Sequence, residues 1–374
     1  MFTTSLAKFV FYKRNLWPSF ESLSLIRFNC SNSTTQHNSF TISYLINSCG
    51  LSQQKAISIS KKFHFESPTN PDSVLTLLRN NGFSHSHISK IIAQRPELLV
   101  SSVDKTLKPK FDFFSSKGFY GGALVKVLCR EAKVLTYSLE NTIIPSFHFL
   151  RSIVGTDAKV IAVLRRYMNV LAMYKTIESN IGLLLDHGVP MSMIQKLLVS
   201  QPRMFSRSTS RFCEYVEEVK KMKFDPSQHL FLAALNVLNA MSRSSLEAKF
   251  DVYRSWGWSE DELQGAFRKH PYCVALSEEN IMSTMDTFVN KFGYAPSSIA
   301  QKPSLLLYSC EKRIIPRCSA MQILIKNGKV KQSTNLRSLL QMTEDKFLKK
   351  YINRFEKEVP ELLRAYQGEG NLLS

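Results

Sequence analysis

The sequence predicts an all-α fold, an α-solenoid of seven to eight two-helix repeats of about 35 residues, and three marks held in one phase predict it. The first mark is a glycine, at Gly50, Gly82, Gly118, Gly155, Gly188, Gly257, Gly293 and Gly328, with Lys223-Phe224 filling the one gap; successive steps are 32, 36, 37, 33, 35, 34, 36 and 35 residues. The second follows fourteen residues later, as Pro96 in Arg95-Pro96-Glu97-Leu98-Leu99, Pro202 in Gln201-Pro202-Arg203-Met204-Phe205 and Pro271 in His270-Pro271-Tyr272-Cys273-Val274. Pro303 comes only ten after Gly293, so that unit is short by about one helical turn. The third mark is Pro109, Pro145 and Pro316, each thirteen past Pro96, Ala132 and Pro303.

Within each unit the first helix carries apolar residues at i, i+3 and i+4, as in Ile88, Ile91 and Ile92 or Ile194, Leu197 and Leu198. Proline at the middle mark cannot continue that helix, so it ends there and the following Leu-Leu pair turns into the core. The second helix repeats the stripe, as in Leu107, Phe111 and Phe114 or Phe212, Tyr215, Val216 and Val219. Ser259 with Glu262 forms a capping box, and Asp225-Pro226 reads as an N-cap with proline at the first helical position. The recurring glycine falls where a left-handed C-cap joins one unit to the next. Ala132, Met168 and Val237 occupy the middle mark without proline, which leaves the bend undetermined there. One unit cannot bury its own stripe, so neighbours must stack.

Three segments result: a leader at 1–39, the array at 40–327 and a C-terminal cap at 328–374, the last with Phe347, Tyr351, Phe355 and Val359 four apart before Pro360. The leader holds one acid, Glu21, against Lys8, Lys13, Arg14 and Arg27, among many serines and threonines. Such an acid-poor basic leader reads as an organelle transit peptide, with the mitochondrion preferred to the chloroplast. No apolar run approaches the roughly 18 residues of a spanning helix, and no membrane partner is expected. Seven scattered cysteines without a C-x-x-C pair speak against a disulfide framework or structural zinc.

The chain resembles the mitochondrial transcription termination factor (mTERF) family in its plant organellar form. The resemblance rests on the Pro-x-Leu-Leu marks, the helix start Leu107-Lys108-Pro109, the run from Pro303-Ser304-Leu305-Leu306 to Ile315-Pro316-Arg317, and the closing Phe347-Leu348-Lys349-Lys350-Tyr351 and Glu358-Val359-Pro360-Glu361-Leu362-Leu363. It implies a half-ring superhelix whose basic inner face binds organellar DNA or RNA, double-stranded DNA included, to regulate transcription termination or initiation, splicing or transcript maturation.

Lysine and arginine exceed the acids by 19, which favours a polyanionic partner. The excess is uneven: the unit Gly82–Lys117 has six bases to three acids, whereas Gly257–Phe292 has three bases to six acids. Lys105, Arg211 and Lys312 lie nine residues past Pro96, Pro202 and Pro303. With Lys108, Arg207, Arg313 and Arg317, which share their helix faces, they are the expected phosphate contacts at the start of second helices. Phenylalanines and tyrosines fall on the apolar stripes and are expected in the core. No G-x-x-x-x-G-K-[ST], H-E-x-x-H or G-x-S-x-G occurs, so no enzyme, cofactor or metal is expected. His85 and His87 are two apart and diverge on a helix, and Glu260-Asp261-Glu262 sits where acids meet the helix dipole. The protein is expected to act as a monomer on nucleic acid, with other organellar gene-expression proteins as further partners; the competing reading is a protein-interaction scaffold in an organellar ribosome or transcription complex.

Overall fold

The structure, a computed structural model, describes residues 34–331 and 335–367, so the expected leader lies almost wholly outside the described residues. Those residues form helices and turns with no β-strand among them. The chain divides into two compact units, Met1–Pro68 and Thr69–Ser374. In the first, helices Thr34–Asn47 and Gln53–Ser60 pack together. There the Thr41 hydroxyl donates to the Phe65 carbonyl at 3.0 Å and accepts from the Phe65 amide at 3.1 Å, beside the edge-to-face rings of Tyr44 and Phe65.

The second unit opens on helix Thr69–Asn80 and continues with seven repeats. The first helices are His85–Gln94, Gly121–Leu128, Asp157–Arg166, Met191–Ser200, His229–Ala240, Glu260–Lys269 and Pro296–Ala300. First helices pack on first helices and second helices on second helices, while the 3-10 turns at the middle marks stack between the two layers. This is a solenoid: each unit buries its stripe against the next, and the turn residues Leu98, Leu99, Val134, Leu135, Leu305 and Leu306 are all buried. Full burial of each such side chain contributes about 1.5–3 kcal/mol.

Proline is sufficient for the bend but not required. The residue before the mark adopts φ −140°, ψ 70° at Arg95, and nearly the same at Glu131 (−132°, 59°) and Tyr167 (−153°, 88°), which precede Ala132 and Met168. At Val237 the bend is gone, and His229–Ala240 runs unbroken through it. The short unit is short in its first helix, Pro296–Ala300. Asp225-Pro226 does not begin a helix: the Asp225 carboxylate accepts the Ser227 amide and hydroxyl, both at 2.8 Å, and the helix starts four residues later. The short aspartate side chain satisfies its own turn before it can reach a helical amide.

Four second helices begin at a capping serine six residues past the mark. Ser102, Ser138, Ser277 and Ser309 each cap the amide three residues on. Where the third proline follows, at Pro109, Pro145 and Pro316, the first turn widens to i→i−5 bonds, Leu107 to Ser102, Ile143 to Ser138 and Ile314 to Ser309, at 3.0–3.2 Å. A proline inside a regular helix would lose a hydrogen bond and clash with the carbonyl four residues earlier; the widened turn absorbs it.

Every recurring glycine named above has positive φ, between 67° and 91°. At Gly257 the consequence is clear: Trp258 donates its amide back to the Tyr253 carbonyl, and the two rings stack at 4.4 Å. Lys223, in the gap of the glycine series, is the one non-glycine residue with positive φ among the described residues, at 63°. A side chain in that region costs about 1–2 kcal/mol. Lys223→Gly is therefore expected to stabilise the protein by about 0.5–1 kcal/mol once glycine's greater unfolded-state entropy is subtracted. A urea-unfolding midpoint that falls would contradict this.

Buried or half-buried polar side chains tie four of the helices in the second layer to the turn of the next unit. Asn70 donates to the carbonyls of Leu99 and Ser101 at 2.8 and 3.1 Å, Asn180 to those of Phe205 and Arg207 at 3.0 and 2.8 Å, and Lys110 to that of Leu135 at 2.5 Å. Lys249 does the same with Leu276. The acceptors lie three or five residues past the middle mark, where a 3-10 turn leaves carbonyls without helical donors. Burial lowers the Lys110 pKa below the usual lysine range.

Arg317 makes the corresponding contact to the C-terminal cap. Its guanidinium donates to the carbonyls of Leu339 and Met342 at 2.9 and 2.6 Å, pairs with Glu344 at 2.7 Å and lies 4.7 Å from the Phe347 ring centre. Helix Glu361–Gln367 packs on Ile315–Lys326, and Tyr366 donates to the second Glu344 oxygen. The Tyr366 hydroxyl and then Arg317 hold the Glu344 carboxyl below its usual pKa. Its contribution to stability is thus present above the unfolded value, about 4.3, and is lost as pH falls through the lower folded value. Limited proteolysis of residues 336–367 is expected to accelerate in that acid window in the native protein but not in Glu344→Gln.

Candidate nucleic-acid interface

First helices run in the same direction in successive repeats, so a preference that acts on one helix end acts along a whole edge of the array. Cations favour helix C-termini and acids favour N-termini. The first helices follow this closely. Their acids occur only in first turns, at Asp157 and at Glu260, Asp261 and Glu262. Lys126, Arg165 with Arg166, and Arg268 with Lys269 occupy last turns. Lys90 and Lys196 lie one turn earlier, and all seven of these bases are exposed. The first-helix side of the edge where first helix, turn and second helix meet is therefore basic, while the second-helix starts beside it also carry acids, at Asp104, Glu140, Glu278, Glu279 and Glu311.

Part of that charge also joins the repeats. Gln94 donates to the Cys129 carbonyl at 2.9 Å, Arg130 to that of Arg165 at 2.9 Å and Lys269 to that of Gln301 at 3.3 Å, so a side chain at each helix end caps its neighbour's. Ion pairs concentrate at the opposite, glycine-marked edge. Arg151 meets Asp157 at 3.0 Å, Lys220 meets Glu217 at 3.5 Å, and Arg254 is shared by Glu247, Asp251 and Glu260 at 2.6–2.7 Å. On the bend edge Arg95 pairs with Glu97 and Arg130 with Glu131, at 3.6 and 3.4 Å, and Arg243 at a second-helix start pairs with Glu218 of the preceding second helix at 3.1 Å.

The seven bases expected from the sequence separate into three groups. Lys105, Lys108, Arg211 and Lys312 are exposed at second-helix starts, on the bend edge. Lys108 borders an open cleft of about 520 Å³ with Asp104, Pro109, Asp112, Phe113 and Ser116, so two carboxylates temper its charge. Arg207 is exposed but engaged, donating to the Asn239 side-chain oxygen at 3.2 Å and its carbonyl at 2.9 Å. Arg313 is half-buried, 5.2 Å from the Tyr308 ring centre and 3.4 Å from the Leu340 carbonyl.

Arg317 corrects the expectation. It has 0% exposure and is committed to the C-terminal cap, so no phosphate reaches it. Helical spacing alone put Arg313 and Arg317 on one face, and that face is the one the cap covers. The exposed bases toward first-helix C-termini are candidates that spacing from the middle mark does not select. Their signal was available in the acid-free second halves of those helices.

The titratable groups weighed for other chemistry have local roles. His87 completes a capping box with Ser84, and Glu262 does so with Ser259. Burial lowers the His270 pKa at the helix break. Among the described residues, no group of three His, Cys, Asp or Glu side chains is arranged to hold a metal, and no helix is long and apolar enough to cross a membrane.

A search of curated proteins returns no match. The mTERF family profile matches residues 75–297 and, overlapping, 175–348, which together cover the seven repeats and the cap's first helix. A match over that span, on stacked helix–turn–helix repeats in one phase, means that the chain belongs to the mTERF family.

Proposed function

We propose that this protein binds organellar nucleic acid along the bend edge of its repeats and thereby regulates gene expression, at transcription termination or initiation or at transcript splicing or maturation. The observation that carries the reading is the distribution of charge: exposed first-helix bases, free of ion pairs among the described residues, line the bend edge, while Arg151, Lys220 and Arg254 on the other edge are held in ion pairs. Family membership supports the same reading, since mTERF proteins are organellar and bind nucleic acid. The acid-poor leader supports import, into the mitochondrion in preference to the chloroplast. Phosphates are the natural ligand for such an edge, because rigid helix ends preset the spacing of the lysines and arginines and leave only their side chains to be ordered at binding.

The test is the affinity of the purified protein for duplex DNA, single-stranded DNA and RNA across a salt series. Binding to at least one of them, with log K falling linearly in log salt, is the expected result. A folded, helical protein that binds none of the three at low salt would remove the reading.

A further inference from the structure

One repeat interrupts the bend edge. In the fifth, the first helix His229–Ala240 contains no lysine, arginine, aspartate or glutamate, and it runs straight through Val237, where the other repeats turn. No base stands at its C-terminus, and no 3-10 turn presents one. The polar groups at this point are already engaged. Asn239, 5% exposed, donates to the Met204 carbonyl at 2.7 Å and accepts the Arg207 guanidinium on its side-chain oxygen and its carbonyl. Ser242 caps the Ser245 amide, and Glu218, 3.1 Å away, offsets the charge of Arg243. The arginines that border this stretch on either side, Arg207 and Arg243, are thus both turned to the protein.

The flanks differ. Lys90, Lys126, Arg165, Lys196, Arg203 and Arg211 are exposed and in no ion pair among the described residues, and they serve each of the first four repeats. Beyond the interruption, Arg268 lies in the last turn of the sixth first helix and Lys312 at the start of the seventh second helix, both exposed. The seventh first helix, Pro296–Ala300, is also uncharged, but Lys302 follows it by two residues. Glu278 and Glu279, at the start of the sixth second helix, leave this flank the weaker of the two.

A phosphate is held where a cation displaces its counterions, and a repeat without a free cation adds nothing to that attraction. At a helix spacing of about 8–10 Å, the bases of the fourth and sixth repeats stand about 16–20 Å apart. We infer that the bend edge is divided: nucleic acid contacts it through two phosphate tracts, a longer one on repeats one to four and a shorter one on repeats six and seven, and its backbone crosses the fifth repeat unheld. This rests on the proposed function and says which repeats of that edge take the ligand. The partner it fits is a strand whose middle stretch is free to bend or to change its pairing while both flanks stay bound.

The full chain should be titrated across a salt series against a labelled DNA duplex, its single strand and the RNA of the same sequence, and the variants compared on each probe that binds. Arg211→Ala and Arg243→Ala remove one arginine each from the start of neighbouring second helices. The first is expected to lower the log K–log salt slope by about one, and the second to leave it unchanged. Ala240→Lys, at the exposed end of the fifth first helix, should fill the gap, raising the slope by about one and the affinity at about 0.1 M salt by fivefold to tenfold. Ser255→Lys, equal in charge but on the glycine edge, should do neither. Ultraviolet crosslinking to the unmodified protein gives a readout independent of variant folding: adducts should fall on both flanks and spare residues 229–246. Equal slopes in the Arg211→Ala and Arg243→Ala variants, no gain from Ala240→Lys over Ser255→Lys, or adducts running through 229–246 overturn the division while the proposed function stands. No binding to any of the three probes overturns both.

Discussion

Arg317→Ala should cost the protein about 3–5 kcal/mol and free its C-terminal cap, without flattening the salt dependence of nucleic-acid binding. The size follows from what the guanidinium does. It is buried, and its removal leaves the carbonyls of Leu339 and Met342 without a donor, Glu344 without its ion partner and Phe347 without the cation at its face. Each unsatisfied buried acceptor costs about 1–3 kcal/mol, so the two carbonyls supply most of the loss, while Glu344, half exposed, is left in reach of water and adds about 1 kcal/mol or less. An arginine that merely lined a phosphate-binding face would change stability by about 0.5 kcal/mol or less. Arg317→Lys keeps the charge but not the planar fork, so it should restore one carbonyl contact and only part of the loss. Urea denaturation and proteolysis across residues 336–367 read the effect. A variant of unchanged stability whose log K–log salt slope drops by about one would reverse the assignment and return Arg317 to the phosphate face.

Arg317 also shows where the sequence was legible and where it was not. The repeat, its marks and the shortened unit at Pro303 were readable because glycine and proline act on the backbone itself, and backbone constraints are local. Even the gap at Lys223 kept the left-handed turn that its place in the series called for. The bend at Ala132 and Met168 survived without proline because stacked neighbouring turns hold it, and at Val237 it did not. Neither outcome could be read locally. The site was less legible. Lys110, Ser146 and Arg317 each follow a third-mark proline, and all three are buried. That phase belongs to the core in every unit where it is marked, so a polar residue there needed a partner: the next unit's turn for Lys110, the helix's own first-turn carbonyls for Ser146 and the cap for Arg317. Counting Arg317 as surface charge ignored a position that the repeat itself had already defined as interior.

Removing four bases from one edge and four from the other should produce opposite results with the same change in net charge. Lys126, Arg165 and Arg268 sit in last turns of first helices and Lys196 one turn earlier, all exposed and with no ion pair among the described residues. Arg79, Lys159, Lys291 and Lys326 are equally exposed but lie toward the glycine edge. A general electrostatic attraction depends on total charge and would weaken alike in both quadruple alanine variants. Phosphate contact does not. If each bend-edge base displaces one counterion, the log K–log salt slope should fall by about three to four in the first variant, and affinity near 0.1 M salt by roughly a thousandfold. The glycine-edge variant should keep its slope and lose only the small long-range share. Both sets leave the repeat-joining contacts of Arg130 and Lys269 in place, so stability should stay within about 1 kcal/mol of the parent's and the comparison isolates binding. Equal losses in the two variants would mean that the chain is held by its overall charge, and the edge on which the functional reading rests would have no special part in it.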